Sequence, residues 1–109
     1  VAKYNPKIVL AYFRECGLPP AITELQFALP RKFRFDFAWA AEMVALEVEG
    51  GVFIRGAHGS ASGIIRDIEK YNLATCLGWK VLRVLPQHVC MQVTVEMVKT
   101  CLNLRSPNS

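Results

Sequence analysis

The stretch that most limits what this chain can fold into is residues 33–51, FRFDFAWAAEMVALEVEGG. Phe33, Phe35, Phe37 and Trp39 alternate with Arg34, Asp36 and Ala38, and Val44, Leu46 and Val48 alternate with Ala45, Glu47 and Glu49. Period-two alternation marks two strands, with Asp36 on one face of the first and Glu47 with Glu49 on one face of the second. If residues 40–43 form a four-residue hairpin loop, Trp39 pairs with Val44 and Asp36 falls opposite Glu47. Like charges directly opposite each other destabilise a sheet. A fold that puts two carboxylates there, with a third two residues on, usually has a cation for them, and all-oxygen ligation suits Mg²⁺ or Mn²⁺. The other reading is a solvated acidic face, and the repulsion argues against it.

The flanking segments supply a frame for this hairpin. Residues 8–15 carry a short helical pattern, ended by Gly17 and the Pro19-Pro20 pair. In residues 24–29, Leu25, Phe27 and Leu29 face one way and Glu24, Gln26 and Ala28 the other, before a turn at Pro30-Arg31-Lys32. With Leu29 paired to Phe33, Gln26 lies opposite Asp36, and Glu24 is a diagonal neighbour on the same face. Beyond the hairpin, the Gly- and Ser-rich residues 50–62 read as a surface loop that bears Arg55 and His58. A helix is expected over residues 62–77, with an apolar stripe of Ile64, Ile68, Tyr71 and Thr75. Arg66 and Lys70 are one turn apart on its other side, and Gly78 fits its C-cap. Residues 79–85, WKVLRVL, read as a strand buried on much of both faces and therefore central. Pro86 opens a last helix to about residue 104, apolar nearly all round, and residues 105–109 form a disordered tail.

At 109 residues, with 52% hydrophobic and 20% charged residues, the chain reads as one globular domain rather than a disordered segment. Its net charge is +4, from 13 basic and 9 acidic residues. The acidic residues gather in the central hairpin, so the remaining surface is more basic than the total implies, and a polyanion is a plausible partner. Four cysteines, Cys16, Cys76, Cys90 and Cys101, lack CxxC or Cys/His spacing and read as reduced, buried thiols. No signal peptide and no apolar run of membrane-spanning length is present. The first residue is Val, which is compatible with a longer native chain.

The expected element order is αβββαβα, and the helical crossover lets the fourth strand lie parallel to one of the first three. This order, with an Asp in the second strand and Glu-x-Glu in the third, resembles the PD-(D/E)xK nuclease superfamily. The segments FRFDFAW, ALEVEGG, GAHG and IEKYNLATCLGWKVLRV are similar to small phage and bacterial restriction-like or junction-resolving endonucleases, over about residues 24–85. The resemblance implies a restriction-endonuclease-like α/β fold: an αβββαβ core, a mixed central sheet flanked by helices, and an extra C-terminal helix. Asp36 matches the superfamily's first carboxylate and Glu47 the acidic residue of its second motif. The Val48 main-chain carbonyl matches the usual backbone metal ligand, and Glu24 resembles an upstream acidic residue that completes the metal shell. Glu49 stands where the motif's lysine normally is, a departure from the pattern, and Lys70 resembles a lysine that has migrated to the next helix.

What this implies is a Mg²⁺- or Mn²⁺-dependent enzyme hydrolysing DNA phosphodiester bonds, with branched DNA such as a Holliday junction as one target. Its place would be the cytoplasm of a bacterial or phage-infected cell. Such hydrolysis needs an activated water and a neutralised phosphate charge. Lys70 would orient the water or balance the charge, and Glu49 would accept the water's proton. Arg31, Lys32 and Arg34 are the expected phosphate contacts, with Arg55 and His58 reaching in from the loop. The surplus apolar surface of the last helix suggests a homodimer, which would bring two sites to one DNA. Blander readings stand beside these. The basic turn is a solvated surface, His58 a loop residue, Lys70 a partner of Asp67 or Glu69, and Tyr71, Asn72 and Trp79 packing residues. The first helix wraps the last, leaving a monomer. A non-catalytic DNA-binding or structural module, and a tRNA or single-strand nuclease, are the alternative functions.

Overall fold

The computed structural model describes residues 4–50 and 61–104. The loop segment bearing Arg55 and His58, and the tail at residues 105–109, lie outside the described residues. The described chain runs α1 (Pro6–Glu15), β1 (Ile22–Gln26), β2 (Arg34–Trp39), β3 (Val44–Val48), α2 (Ala61–Cys76), β4 (Lys80–Val84), a 3-10 turn (Pro86–His88) and α3 (Gln92–Cys101). This is an α/β fold on one four-stranded open sheet of order β1-β2-β3-β4. β1, β2 and β3 pair antiparallel and β4 pairs parallel to β3, so the sheet is mixed. No helix among the described residues is long and apolar enough to cross a membrane.

Local chemistry sets the element ends. The Asn5 side chain accepts the Lys7 N–H at 2.9 Å, and Pro6 begins α1 with a φ already suited to a helix. All three helices close in the same way. Gly17, Gly78 and Asn103 take positive φ, and the next residue's N–H reaches back to a carbonyl five positions earlier: Leu18 to Phe13, Trp79 to Ala74, Leu104 to Lys99. The hairpin loop over residues 40–43 is as expected, with Trp39 opposite Val44 and Met43 in the left-handed region. Its Met43 carbonyl accepts the Lys80 N–H at 2.9 Å, which aligns the start of β4 with β3.

The core has two parts, one on each face of the sheet. Val9 and Phe13 of α1 and Val95 and Val98 of α3 meet Phe37, Trp39, Val44, Leu46 and Val48. On the other face Ala74 of α2 meets Phe35, Ala38 and Ala45, with Phe27, Trp79 and Val81 packed around them. β3 is buried along its whole length. The Trp39 indole N–H donates to the Pro19 carbonyl at 2.8 Å and ties the α1–β1 connection to β2.

Five features differ from the sequence pattern. β1 ends at Gln26 and pairs Leu25 with Phe35, a shift of two residues that brings Glu24 level with Asp36. The reason is a longer connection into β2, in which Phe27 stacks flat on Phe35 at 3.9 Å. That stack draws Phe35 into the α2-side cluster, away from Phe37 and Trp39, so strict alternation in β2 breaks at Asp36. β4 lies at the edge of the sheet instead of its centre. Its apolar residues are covered by the helix layers, Val84 on one face and Val81 on the other. The last helix is interrupted. The 3-10 turn ends at His88, Met91 is extended, and the Thr94 hydroxyl bonds the His88 carbonyl at 2.7 Å before α3 is established. The four thiols are free but none is buried, Cys76 and Cys90 being exposed.

α3 therefore has a definite inner side. Val98 is fully buried, whereas Val93 is 58% exposed. Val98→Ala should cost roughly 2 kcal/mol of unfolding free energy, the transfer and cavity cost of a buried aliphatic chain. Val93→Ala should change it by less than about 0.5 kcal/mol. Urea titrations of the two variants check this, and equal losses would contradict the packing.

Candidate active site

Beyond the Phe37–Leu46 pair, side chains take over the joining of β2 to β3. The Asp36 N–H donates to Glu47 Oε2 at 2.8 Å, and the Val48 N–H donates to Asp36 Oδ2 at 2.7 Å. Each carboxylate thus satisfies a main-chain donor on the opposite strand. Glu47 is only 5% exposed, and a carboxylate so buried requires a cation or several donors. It has both. Lys70 of α2 donates its Nζ to Glu47 Oε1, and the Tyr71 hydroxyl lies 3.0 Å from the same oxygen.

The third carboxylate is held separately. Arg83 of β4 grips Glu49 with two bonds, Nε to Oε2 at 3.2 Å and Nη2 to Oε1 at 3.0 Å. Tyr71 Oη is also 3.2 Å from Glu49 Oε2. A phenol has one proton to give, so Tyr71 serves one of the two glutamates at a time. The Arg83 guanidinium lies 4.4 Å from the Tyr71 ring centroid, which fixes the order Lys70, Glu47, Tyr71, Glu49, Arg83 across the site.

The electrostatics single out Asp36. Burial pushes its carboxyl up to about 6. The neighbouring Glu47 and Glu24 charges push the same way, against the Val48 N–H and Lys70. Burial and the Glu47 and Glu49 charges also push the Tyr71 phenol well above its usual range, so it stays a donor. The hydrogen bonds that Arg83 donates to Glu49 hold its guanidinium above its ordinary value.

The residues expected to form the site separate into those the fold gathers and those it does not. Asp36, Glu47, Glu49 and Lys70 come together, with the Val48 main chain between the carboxylates. The Val48 carbonyl accepts the Gly50 N–H at 3.1 Å, leaving a second lone pair. Glu24 lies level with Asp36 and adds its charge there, while it takes positive φ and faces Arg34 at 3.5 Å, with both side chains more than half exposed. Arg31 pairs with Glu69 at 3.3 Å, and Lys32 is exposed. Arg55 and His58 lie outside the described residues. Two contributors were not anticipated as site residues, Tyr71 and Arg83. Arg83 shares a strand face with Trp79 and Val81, and a cation on that face, level with Glu47 across the parallel pair, is the signal for it.

α2 also turns differently from its apolar stripe. Ile64 and Ile68 are more than half exposed, and the helix meets the sheet through Lys70, Tyr71 and Ala74. The inward face is polar because the sheet below it carries carboxylates. A cavity of about 380 Å³ beneath α1, lined by Leu10, Phe13, Pro19 and Pro20, lies on the other face of the sheet and touches none of this chemistry.

Among the described residues no group of three or more His, Cys, Asp or Glu side chains closes on a point that could hold a metal. The charge balance nevertheless fits a cation. Three carboxylates, Asp36, Glu47 and Glu49, face two cations, Lys70 and Arg83. The uncompensated charge falls on the Asp36 carboxyl, whose ionisation burial already opposes. Asp36, Glu47 and the Val48 carbonyl offer the oxygen donors that a hard divalent ion takes.

No known protein family, curated protein or solved structure matches this chain. The site must therefore be tested on its own chemistry. Because the folded-state pKa of Asp36 is raised, the folded chain keeps a proton that the unfolded chain releases between the ordinary 3.8 and about 6. This group's contribution to stability is complete below that window and is lost as pH rises through it. At pH above the window, Asp36→Asn should raise the Tm by about 4 °C, the shift that roughly 1 kcal/mol gives in a domain of this size. Below the window the variant should match the parent. Calorimetric melts at the two pH values check this, and a variant that is less stable at the higher pH would contradict it.

Proposed function

We propose that this chain is a metal-dependent endodeoxyribonuclease of the PD-(D/E)xK kind, with branched DNA such as a four-way junction as a candidate substrate. The carrying observation is the meeting of Lys70 with Glu47 beside Asp36. A lysine supplied by the helix after the third strand supports the migrated-lysine pattern, and it donates to Glu47, whose other oxygen accepts the Asp36 N–H. Asp36, Glu47 and the Val48 carbonyl would hold Mg²⁺ or Mn²⁺, and a bound ion supplies an activated water and neutralises phosphate charge. Lys70 holds Glu47 in place in the free protein and is free to turn its remaining donors to a phosphate oxygen. Glu49 is spoken for on both oxygens by Arg83 and Tyr71, which supports a positioning role for it and leaves Lys70 as the better candidate to orient water.

A working homodimer belongs to this reading. Met91 and Val93 of the α3 region stay exposed, and a two-fold pair would present two sites to one DNA. Its place of action would be the cytoplasm of a bacterial or phage-infected cell. A second reading, a non-catalytic DNA-binding or structural module, is favoured by one observation. Glu47 and Glu49 each already have an internal cation.

Labelled linear, nicked and four-way DNA, incubated with Mg²⁺ or Mn²⁺ and with EDTA, separates the two readings. The enzyme reading predicts cleavage with metal and none in EDTA, a loss of about 100-fold or more for Lys70→Ala, and a smaller loss for Glu49→Gln. Normal cleavage by Lys70→Ala with none by Glu49→Gln would transfer the role to Glu49. Binding without cleavage of any substrate would establish the module. Light scattering on the same samples should give twice the 12.2 kDa chain mass, and a species at 12.2 kDa with and without DNA would exclude the dimer.

A further inference from the structure

Next to Lys70 the fold builds an arrangement that the carboxylate chemistry does not require. The guanidinium carbons of Arg31 and Arg66 lie 4.4 and 5.0 Å from the centroid of one ring, that of Phe33. Phe33 is 1% exposed, so the ring is a fixed platform against which both cations rest. Two like charges gathered at one ring repel each other, and Arg31 has relief from Glu69 at 3.3 Å. Among the described residues Arg66 has no anionic partner. Contact with the ring restricts both side chains, and both residues remain exposed to solvent. That is the preorganised state from which a guanidinium binds a phosphate bidentately at little further entropic cost.

The position is as informative as the chemistry. Arg66 is four residues before Lys70 on α2, so the two project from the same helix face one turn apart. Arg31 arrives from the β1–β2 connection to complete the same patch. A row of cations thus runs from the Phe33 platform through Lys70 to Glu47 and Asp36.

We infer that Arg31 and Arg66, stacked on Phe33, form a clamp for a backbone phosphate of a nucleic-acid strand, one step removed from the phosphate at Lys70, and that Glu69 holds Arg31 until that phosphate displaces it. The ligand is a phosphodiester in a chain, since the row of cations is built for successive charges. The inference rests on the nuclease reading only for what happens at Lys70. The clamp binds whether or not the strand is cut.

The test is anisotropy of a fluorescein-labelled single-stranded oligonucleotide with the full chain, in EDTA, across a salt series. Arg66→Ala and Arg31→Ala should each weaken binding about 5- to 10-fold at low salt and reduce the salt slope by about 0.7, the loss of one phosphate contact. Arg66→Lys should recover the slope but not the full affinity, because the charge returns without the planar stack. Glu69→Gln should tighten binding. Arg14→Ala, on α1 across the sheet, should change nothing beyond experimental scatter. Inorganic phosphate should compete no better than chloride at equal ionic strength, which marks the ligand as a strand rather than a free anion. Equal losses for Arg14→Ala and Arg66→Ala, or unchanged affinity in both Arg31→Ala and Arg66→Ala, would overturn the clamp. A chain that binds through Arg66 but never cuts with metal would overturn the nuclease reading alone, and one that cuts with both arginines dispensable would overturn the clamp alone.

Discussion

Two reciprocal hydrogen bonds, Asp36 N–H to Glu47 and Val48 N–H to Asp36, hold the centre of this structure. They sit where the β2–β3 ladder gives way, and they satisfy main-chain donors that a diverging pair of strands would otherwise leave open. Because carboxylates do this work, negative charge is fixed inside the fold. Everything around it answers that charge. α2 turns Lys70 and Tyr71 inward, at the expense of leaving Ile64 and Ile68 in solvent, and β4 contributes Arg83. Removing one partner of such a buried set is costly because it strands the other. Lys70 and Glu47 therefore link sheet to helix as well as serving any chemistry.

The same charges explain why the site is not self-sufficient. Glu47 and Glu49 are neutralised in place, each by its own cation, whereas Asp36 has a main-chain donor and a distant share of Lys70. An ionised Asp36 is tolerated at a cost, and a divalent cation would remove that cost. Titratable groups with strongly shifted pKa values gather at functional sites, and Asp36 is such a group. To one side of it, Arg31 and Arg66 gather at Phe33.

Much of this was legible in the residues. The residue pattern over 33–49 alternates around a loop of four residues, so the Trp39–Val44 pairing followed from counting, and with it the meeting of Asp36 and Glu47, although the fold breaks the alternation at Asp36. Gly17 and Gly78 marked helix ends because only a residue at ease with positive φ fits there. What the pattern hid has physical causes. Phe27 leaves its strand to stack on Phe35, a tertiary contact that no local period encodes, and it carries the β1 register with it. In α2 the apolar stripe pointed outward because a polar site occupies the inward face. β4 read as central because its apolar residues face helix layers on both sides, Val84 on one and Val81 on the other, although the strand is an edge and only Val84 is buried. Glu24, expected near the cluster from its strand face and from the resemblance, lies level with Asp36, adds its charge there and pairs with Arg34 in solvent.

Asp36 and Glu47 are proposed to hold a divalent ion between them. Titration of the chain with Mn²⁺ in a calorimeter, alongside Asp36→Asn and Glu47→Gln, tests it without needing a substrate. The parent should bind Mn²⁺ with saturable heat, and both variants should lose that heat while their far-UV spectra remain those of the folded chain. Parent-like binding in both variants, or no binding by the folded parent, would contradict the claim.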